Sequence, residues 1–146
     1  MEITSSGIDA QGKILPEYTI DGDGCNPPLT FSQVPTSAAS LALILDDPDA
    51  PNGTFTHWVL FDMSPATLQI LENALPMTGK VGTNSGGDAD YYPPAPPSGT
   101  HRYIFTLFAL DSLLDLPAGA SKQDVLAAMQ GHVLDQAELI GTYTRA

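Results

Sequence analysis

Positive charge is what this chain has least of. Five bases (Lys13, Lys80, Arg102, Lys122 and Arg145) stand against 17 acids, for a net charge of −12 over 146 residues. Nucleic-acid binding needs clustered Lys and Arg to neutralise phosphates, so nucleic acid is excluded as a partner. The same shortage excludes electrostatic docking on an anionic membrane surface. A single cysteine, Cys25, excludes an internal disulfide framework, and with no activating base nearby it reads as a structural thiol. No apolar run approaches the roughly 18 residues of a membrane span. The opening residues, Met1-Glu2-Ile3-Thr4-Ser5, lack the basic and apolar regions of a secretory signal. These absences lead us to expect one domain over residues 1–146, located in the cytoplasm.

Glycine and proline, 13 of each, punctuate the chain at short intervals. Between them lie short apolar segments: Ile14-Leu15, Leu29 to Phe31, Leu41 to Leu45, His57 to Met63, Tyr103 to Leu110 and Ile140 to Tyr143. Short strands with frequent turn signals predict an antiparallel sandwich or barrel. Tyr103, Phe105, Leu107 and Ala109 share one strand face, while Ile104, Phe108 and Leu110 share the other, so this strand is expected to be central. Helix is expected in two places. Ser64 with Pro65 would open a short helical turn into Leu68–Glu72. Ser121 would cap a helix with Asp124 in its first turn, and Val125, Met129, His132, Val133 and Ala137 follow at helical spacing, with Gly131 dividing it into two short helices. Residues 79–100 are too rich in Gly, Asn, Ser and Pro for regular structure. A long irregular loop that delivers the chain to His101 is expected to serve function.

The chemistry concentrates at Asp46-Asp47-Pro48-Asp49-Ala50-Pro51, which follows the apolar run Leu41–Leu45 and precedes His57. Carboxylates between two buried strands cost several kcal/mol unless paired or hydrogen-bonded. Such an elbow beside a histidine therefore points to a prepared polar pocket. On a strand, His101 and Tyr103 are two apart and point the same way. Two histidines and a tyrosine supply donors for an anion, and aspartates fix imidazole tautomer and orientation. Arg102 alternates away and is expected in a structural ion pair. Trp58 is expected on the face opposite His57, in the core, and His132 is expected as a surface or packing residue. The same residues admit two rival readings. Asp47, Asp49, His57 and His101 could form a metal shell, but no metal-ligand spacing supports it: an EF-hand loop starting at Asp47 would meet Pro51 and Asn52 at its key positions. A hydrolase would need a nucleophile, and Gly82-Thr83-Asn84-Ser85-Gly86 has the wrong spacing for a nucleophile elbow.

These stretches resemble the phosphatidylethanolamine-binding protein family, particularly its short bacterial and archaeal branch. The resemblance rests on Asp47-Pro48-Asp49-Ala50-Pro51, His57-Trp58-Val59-Leu60-Phe61 and Gly99-Thr100-His101-Arg102-Tyr103. Asn26-Pro27-Pro28-Leu29, Pro94-Ala95-Pro96-Pro97, and Gly131 to Leu134 with Gly141-Thr142-Tyr143 add to it. It implies a mainly β fold: two antiparallel sheets in a Greek-key-like sandwich with short helices near the C-terminus. It also implies a small pocket for phosphate-like and carboxylate anions, including phosphoethanolamine head groups. By resemblance the ligand-binding residues are Asp47, Asp49, Pro51, His57, Pro94, His101 and Tyr103. Three departures bear on ligand preference: Tyr92 and Pro93 replace loop glycines, Ala95 replaces a cysteine, and Asn26 replaces a serine. No metal and no cofactor are implied.

The function expected from these readings is noncatalytic binding of a small anionic ligand or phospholipid head group. A protein-interaction role against a protease or kinase is one alternative, a small-metabolite enzyme using the Asp/His pocket another. A homodimer fits the bacterial relatives, although no exposed strip in the sequence marks an interface. Two aspartates beside an anion site make sense if each orients a donating histidine or if a carboxyl keeps a proton. Binding is then expected to weaken as pH rises through the histidine titration.

Overall fold

A computed structural model describes residues 1–146. It shows two antiparallel sheets facing one another. The larger is built around β3 (Ser40–Asp47), which is buried without interruption from Ser40 to Leu45. On one side β3 pairs with β4 (Phe55–Met63), on the other with β7 (Gly99–Leu110). The short β6 (Lys80–Val81) extends the sheet beyond β4, and β8 (Val133–Arg145) closes it beyond β7, giving the order β6-β4-β3-β7-β8. The smaller sheet runs β1 (Glu2–Thr4), β2 (Leu29–Ser32), β5 (Gln69–Ile70). Its buried Ile3, Leu29, Phe31 and Ile70 pack against Leu43, Leu45, Leu60 and Phe105 of the larger sheet. Each such side chain contributes about 1.5–3 kcal/mol by leaving water.

The outer face of β3 and β4, carrying Ala42, Ile44, Val59 and Phe61, is covered by α1 (Lys122–Met129) through Val125 and Met129. The helix starts as its sequence predicts: the Ser121 hydroxyl accepts the Asp124 N–H at 3.1 Å. Sheet and helix therefore form on both faces of β3, as its unbroken apolar run requires. No helix is long and apolar enough to cross a membrane.

Two expected helices are absent. Past Gly131, whose φ of +80° turns the chain, residues 133–145 form β8 rather than a second helix. Val133 and Ala137 carry helical spacing by coincidence. The pairing of β8 with β7, from Gly99↔Arg145 to Leu110↔Val133, outweighs it, helped by the strand-favouring Val133, Ile140, Thr142 and Thr144. His132 lies in the turn before β8, where its Nδ1 bonds the Asp111 carboxylate at 2.7 Å, a partner not evident in the sequence. Likewise Ser64 organises one turn, its hydroxyl accepting the Ala66 N–H, after which Gln69–Ile70 pair with β2. Ile14-Leu15 is no strand but a strap: the Ile14 N–H donates to the Thr142 carbonyl at 2.8 Å and covers part of the outer edge of β8.

Gly82 joins β6 to the long loop, and its N–H donates to the Val59 carbonyl at 2.7 Å. A Cβ there would sit 2.6 Å from the Ala120 carbonyl oxygen and 2.8 Å from Val59 Cγ1. Backbone cannot yield as a flexible side chain can. Gly82→Ala is therefore expected to destabilise the fold by about 1–3 kcal/mol in urea unfolding; unchanged stability would show that this approach is slack.

Candidate functional site

The end of β3 and the starts of β4 and β7 meet at one end of the larger sheet. Leu43 and Leu45 face the inter-sheet core, so alternation turns Asp47 to the same side. On β7, Phe105, Tyr103 and His101 also follow one another on that inner face. Asp47 and His101 meet there, both buried, with Nδ1 and Oδ2 2.6 Å apart. Between a carboxyl and an imidazole the carboxyl is the stronger acid, so Nδ1 carries the proton and donates. The other Asp47 oxygen accepts the Asp49 N–H at 2.8 Å and closes the turn of the elbow.

His57 arrives by a β-bulge. Leu45 pairs with Trp58 and Asp46 with Thr56, so His57 is left unpaired between them. Its imidazole reaches the Tyr103 ring at 5.3 Å, although its neighbour Trp58 belongs to the same core. Trp58 is therefore core, as expected, but does not take a separate face from His57. The backbone of Tyr92 meets His57 twice: its N–H donates to the His57 carbonyl at 2.8 Å, and its carbonyl accepts from Nδ1 at 2.6 Å. Burial pushes the His57 imidazole below its ordinary value, against the opposing pull of the Tyr92 carbonyl and the Asp47 carboxylate.

Between these side chains lies a cavity of about 140 Å³, walled by Asp47, Ala50, Pro51, Phe55, His57, Tyr92, Ala95, Pro97 and His101. Four of the seven predicted ligand-binding residues are in that wall: Asp47, Pro51, His57 and His101. Asp49 is not. Both its oxygens are engaged by Arg102, which donates from Nε, from the terminal guanidinium nitrogen and from its backbone N–H, each at 2.9 Å. These bonds hold the Asp49 carboxyl down to about 2, and Arg102 is the structural partner its alternation predicts. Pro94 is buried behind the wall, where its carbonyl accepts the Ile20 N–H, and Ala95 and Pro97 are the residues of that loop that reach the cavity. Tyr103 lies beside both imidazoles, edge-on to His57 and stacked on His101 at 6.4 Å. It is fully buried, and its hydroxyl has no partner within the protein. Burial, then the Asp47 charge, raises its pKa.

Ala50, Phe55, Tyr92, Ala95 and Pro97 were not among the predicted site residues. Phe55 packs 4.8 Å from His57 and 4.9 Å from Tyr92. Its position two residues before His57 was the available signal. Tyr92 was marked only as a departure from the family pattern. The loop that carries Tyr92 is held by Asn84, which accepts the Gly86 and Asp88 N–H groups and donates to the Asp90 carbonyl. No base stands in the cavity wall: besides Arg102, Lys122 is tied to Asp46 at 2.7 Å. Asp47, Asp49, His57 and His101 do not converge as a metal-binding group, because Asp49 is turned to Arg102 and Asp47 to His101.

Comparison with known proteins bears on family and fold. A sequence model of the family described as phosphatidylethanolamine-binding protein matches residues 4–144. A UPF0098 protein of Methanothermobacter thermautotrophicus is 49% identical, with 99% of each chain covered. A UPF0098 protein of Chlamydia muridarum is 40% identical over 98% of each. Among solved structures, a phosphatidylethanolamine-binding protein homolog from Chlamydia trachomatis superposes with a TM-score of 0.94 at 39% identity, covering 99% of this chain and 97% of the other. E. coli YbcL, described as a member of the mammalian family, shares the fold at a TM-score of 0.90 and 24% identity, with 99% and 98% covered. Matched from end to end in sequence and in fold, this chain belongs to the phosphatidylethanolamine-binding protein family.

Proposed function

We propose that this protein binds a small oxyanion, a phosphate-type or carboxylate head group, in the cavity between Asp47, His57 and His101, without transforming it. The observation that carries this reading is the fixed state of the two imidazoles. Each has its Nδ1 committed to a protein acceptor, so each offers the cavity only Nε2. A protonated Nε2 donates to an anion. At about 140 Å³ the cavity is small, and its size suits a compact oxyanion head group. No serine, threonine, cysteine or lysine lines it, which favours binding over covalent catalysis.

The three histidines provide the direct test. His132 sits beyond the far end of β7, about 30 Å of strand from His101. In an imidazole NMR titration with phosphate, His57 and His101 are expected to shift together while His132 stays still. If millimolar phosphate moves neither, this reading is wrong. Affinity is also expected to rise as pH falls from 8 to 6, and a flat profile from pH 5 to 8 would contradict the role given to the imidazoles.

The burial of His57 has a consequence for the unliganded protein. Its folded-state pKa lies below its unfolded value of 6.5. The unfolded chain therefore takes up the proton first. The stabilising contribution of neutral His57 is complete above pH 6.5 and is lost as pH falls from there toward the folded value. Urea unfolding of wild type and His57→Gln at pH 7.5 and 5.5 checks this. The wild type is expected to lose more stability between the two, and equal losses would remove His57 as the cause.

A further inference from the structure

We propose that the strap over the edge of β8 carries a second binding site, for a small zwitterion with an apolar side chain, of the class of the aliphatic α-amino acids. The starting point is the one base left without a partner. Acids outnumber bases 17 to five, yet Lys13 belongs to none of the ion pairs in the molecule and hydrogen-bonds only through its backbone. With Asp9, Ile14, Leu15, Pro16 and Tyr143 it lines a cavity of about 230 Å³. That cavity shares no wall residue with the one at Asp47, His57 and His101. Asp9 and Lys13 border it together without pairing with one another.

The walls are fixed by the fold itself. One Asp9 oxygen accepts the Gln11 and Lys13 N–H groups, each at 2.9 Å, and the Asp9 N–H donates to the Lys13 carbonyl at 2.8 Å. Gly12 completes this turn at a φ of +80°. The turn is tied to β8, because the Thr142 N–H donates to the Gly12 carbonyl and the Ile14 N–H to the Thr142 carbonyl, both at 2.8 Å. Leu15 and Tyr143 pack against the inter-sheet core. The Tyr143 hydroxyl donates to Asp21 at 2.6 Å, and Arg145 holds the same carboxylate at 3.3 Å, so Asp21 does not compete for Lys13.

What remains uncommitted is one Asp9 oxygen and the Lys13 ammonium, beside an apolar surface. A lone anion gains Lys13 but meets the like charge of Asp9, and a lone cation meets the reverse. A molecule with both charges on one carbon gives each side chain its opposite, while an aliphatic side chain covers Ile14, Leu15 and the Tyr143 ring. The volume is below the ~300–1,000 Å³ of pockets for drug-sized ligands, so the occupant is compact. Lys13 is exposed, and its flexible four-carbon stem lets the ammonium follow a carboxylate.

An NMR titration of the wild-type chain with L-leucine, 3-methylbutylamine and 4-methylpentanoate tests this, since the last two each lack one of leucine's charges. Leucine is expected to shift the backbone amides of residues 9–15 saturably while the His57 and His101 imidazoles stay still. The amine and the acid are each expected to bind about fivefold more weakly, the size of one exposed ion pair. Either of them binding as tightly as leucine overturns the proposal, and so does leucine that moves the histidines or moves nothing. Asp9→Asn keeps the acceptor of the turn and removes its charge; Lys13→Met keeps the stem and removes the ammonium. Asp9→Asn is expected to bring leucine down to the affinity of 4-methylpentanoate, and Lys13→Met to that of 3-methylbutylamine. Leucine binding unchanged in both variants overturns the proposal even if the wild-type chain binds it. The anion reading of the other cavity stands or falls separately, on its own phosphate titration.

Discussion

One buried carboxylate organises this end of the molecule. Asp47 continues the inner face of an apolar strand, so its charge is placed where water is excluded. Breaking a buried pair by removing one partner costs about 3–5 kcal/mol, because the charge left behind has nowhere to go. Both Asp47 oxygens are satisfied in ways that fix something else: one holds the turn of the elbow through the Asp49 N–H, the other orients His101. Closing the elbow also brings Asp49 to Arg102, which sits next to His101 on β7. Turn, imidazole and surface ion pair are thus consequences of one desolvation problem, and the cavity remains on its open side.

The shortage of bases gives that arrangement its chemical character. Of the five, Arg102, Lys122, Lys80 and Arg145 are engaged by Asp49, Asp46, Asp62 and Asp21 respectively. They neutralise acids of the framework and leave the cavity with none. An anion site usually announces itself by Arg or Lys. In the proposed anion site the only positive charge available is a proton on imidazole, which is why the proposal ties binding to pH rather than to a permanent cation.

What the sequence made legible follows from periodicity and local chemistry. The central strand at Tyr103–Leu110, the Ser121 cap, the Arg102 ion pair and the meeting of Asp47 with His101 all come from alternation or from a short motif. What it hid depends on distant partners. Val133 and Ala137 look helical until β7 is present to pair with them. Gln69 and Ile70 become a strand only against β2. The bulge at His57 leaves no mark in the residues themselves, because its cause is the register between β3 and β4. Pro94 and Asp49 were assigned to the ligand by motif, yet geometry gives one to the loop interior and the other to Arg102. Motif position identifies the neighbourhood of a site more reliably than it identifies which atoms are free.

The role of the long loop follows from the same distinction. Its prolines at 93, 94, 96 and 97 remove backbone donors and freedom, so the loop cannot join a sheet and is held by scattered backbone and side-chain bonds instead. Tyr91 enters the core edge-on to Trp58 and donates its hydroxyl to the Tyr18 carbonyl. Tyr92 turns to the cavity while its backbone grips His57. Adjacent residues thus anchor the wall and form it. Because the acceptor that sets the His57 tautomer is the backbone of that wall, the donor pattern seen by a ligand is set by loop geometry. For the proposed ligand, stiffness supplied by proline would leave little ordering to be done on binding.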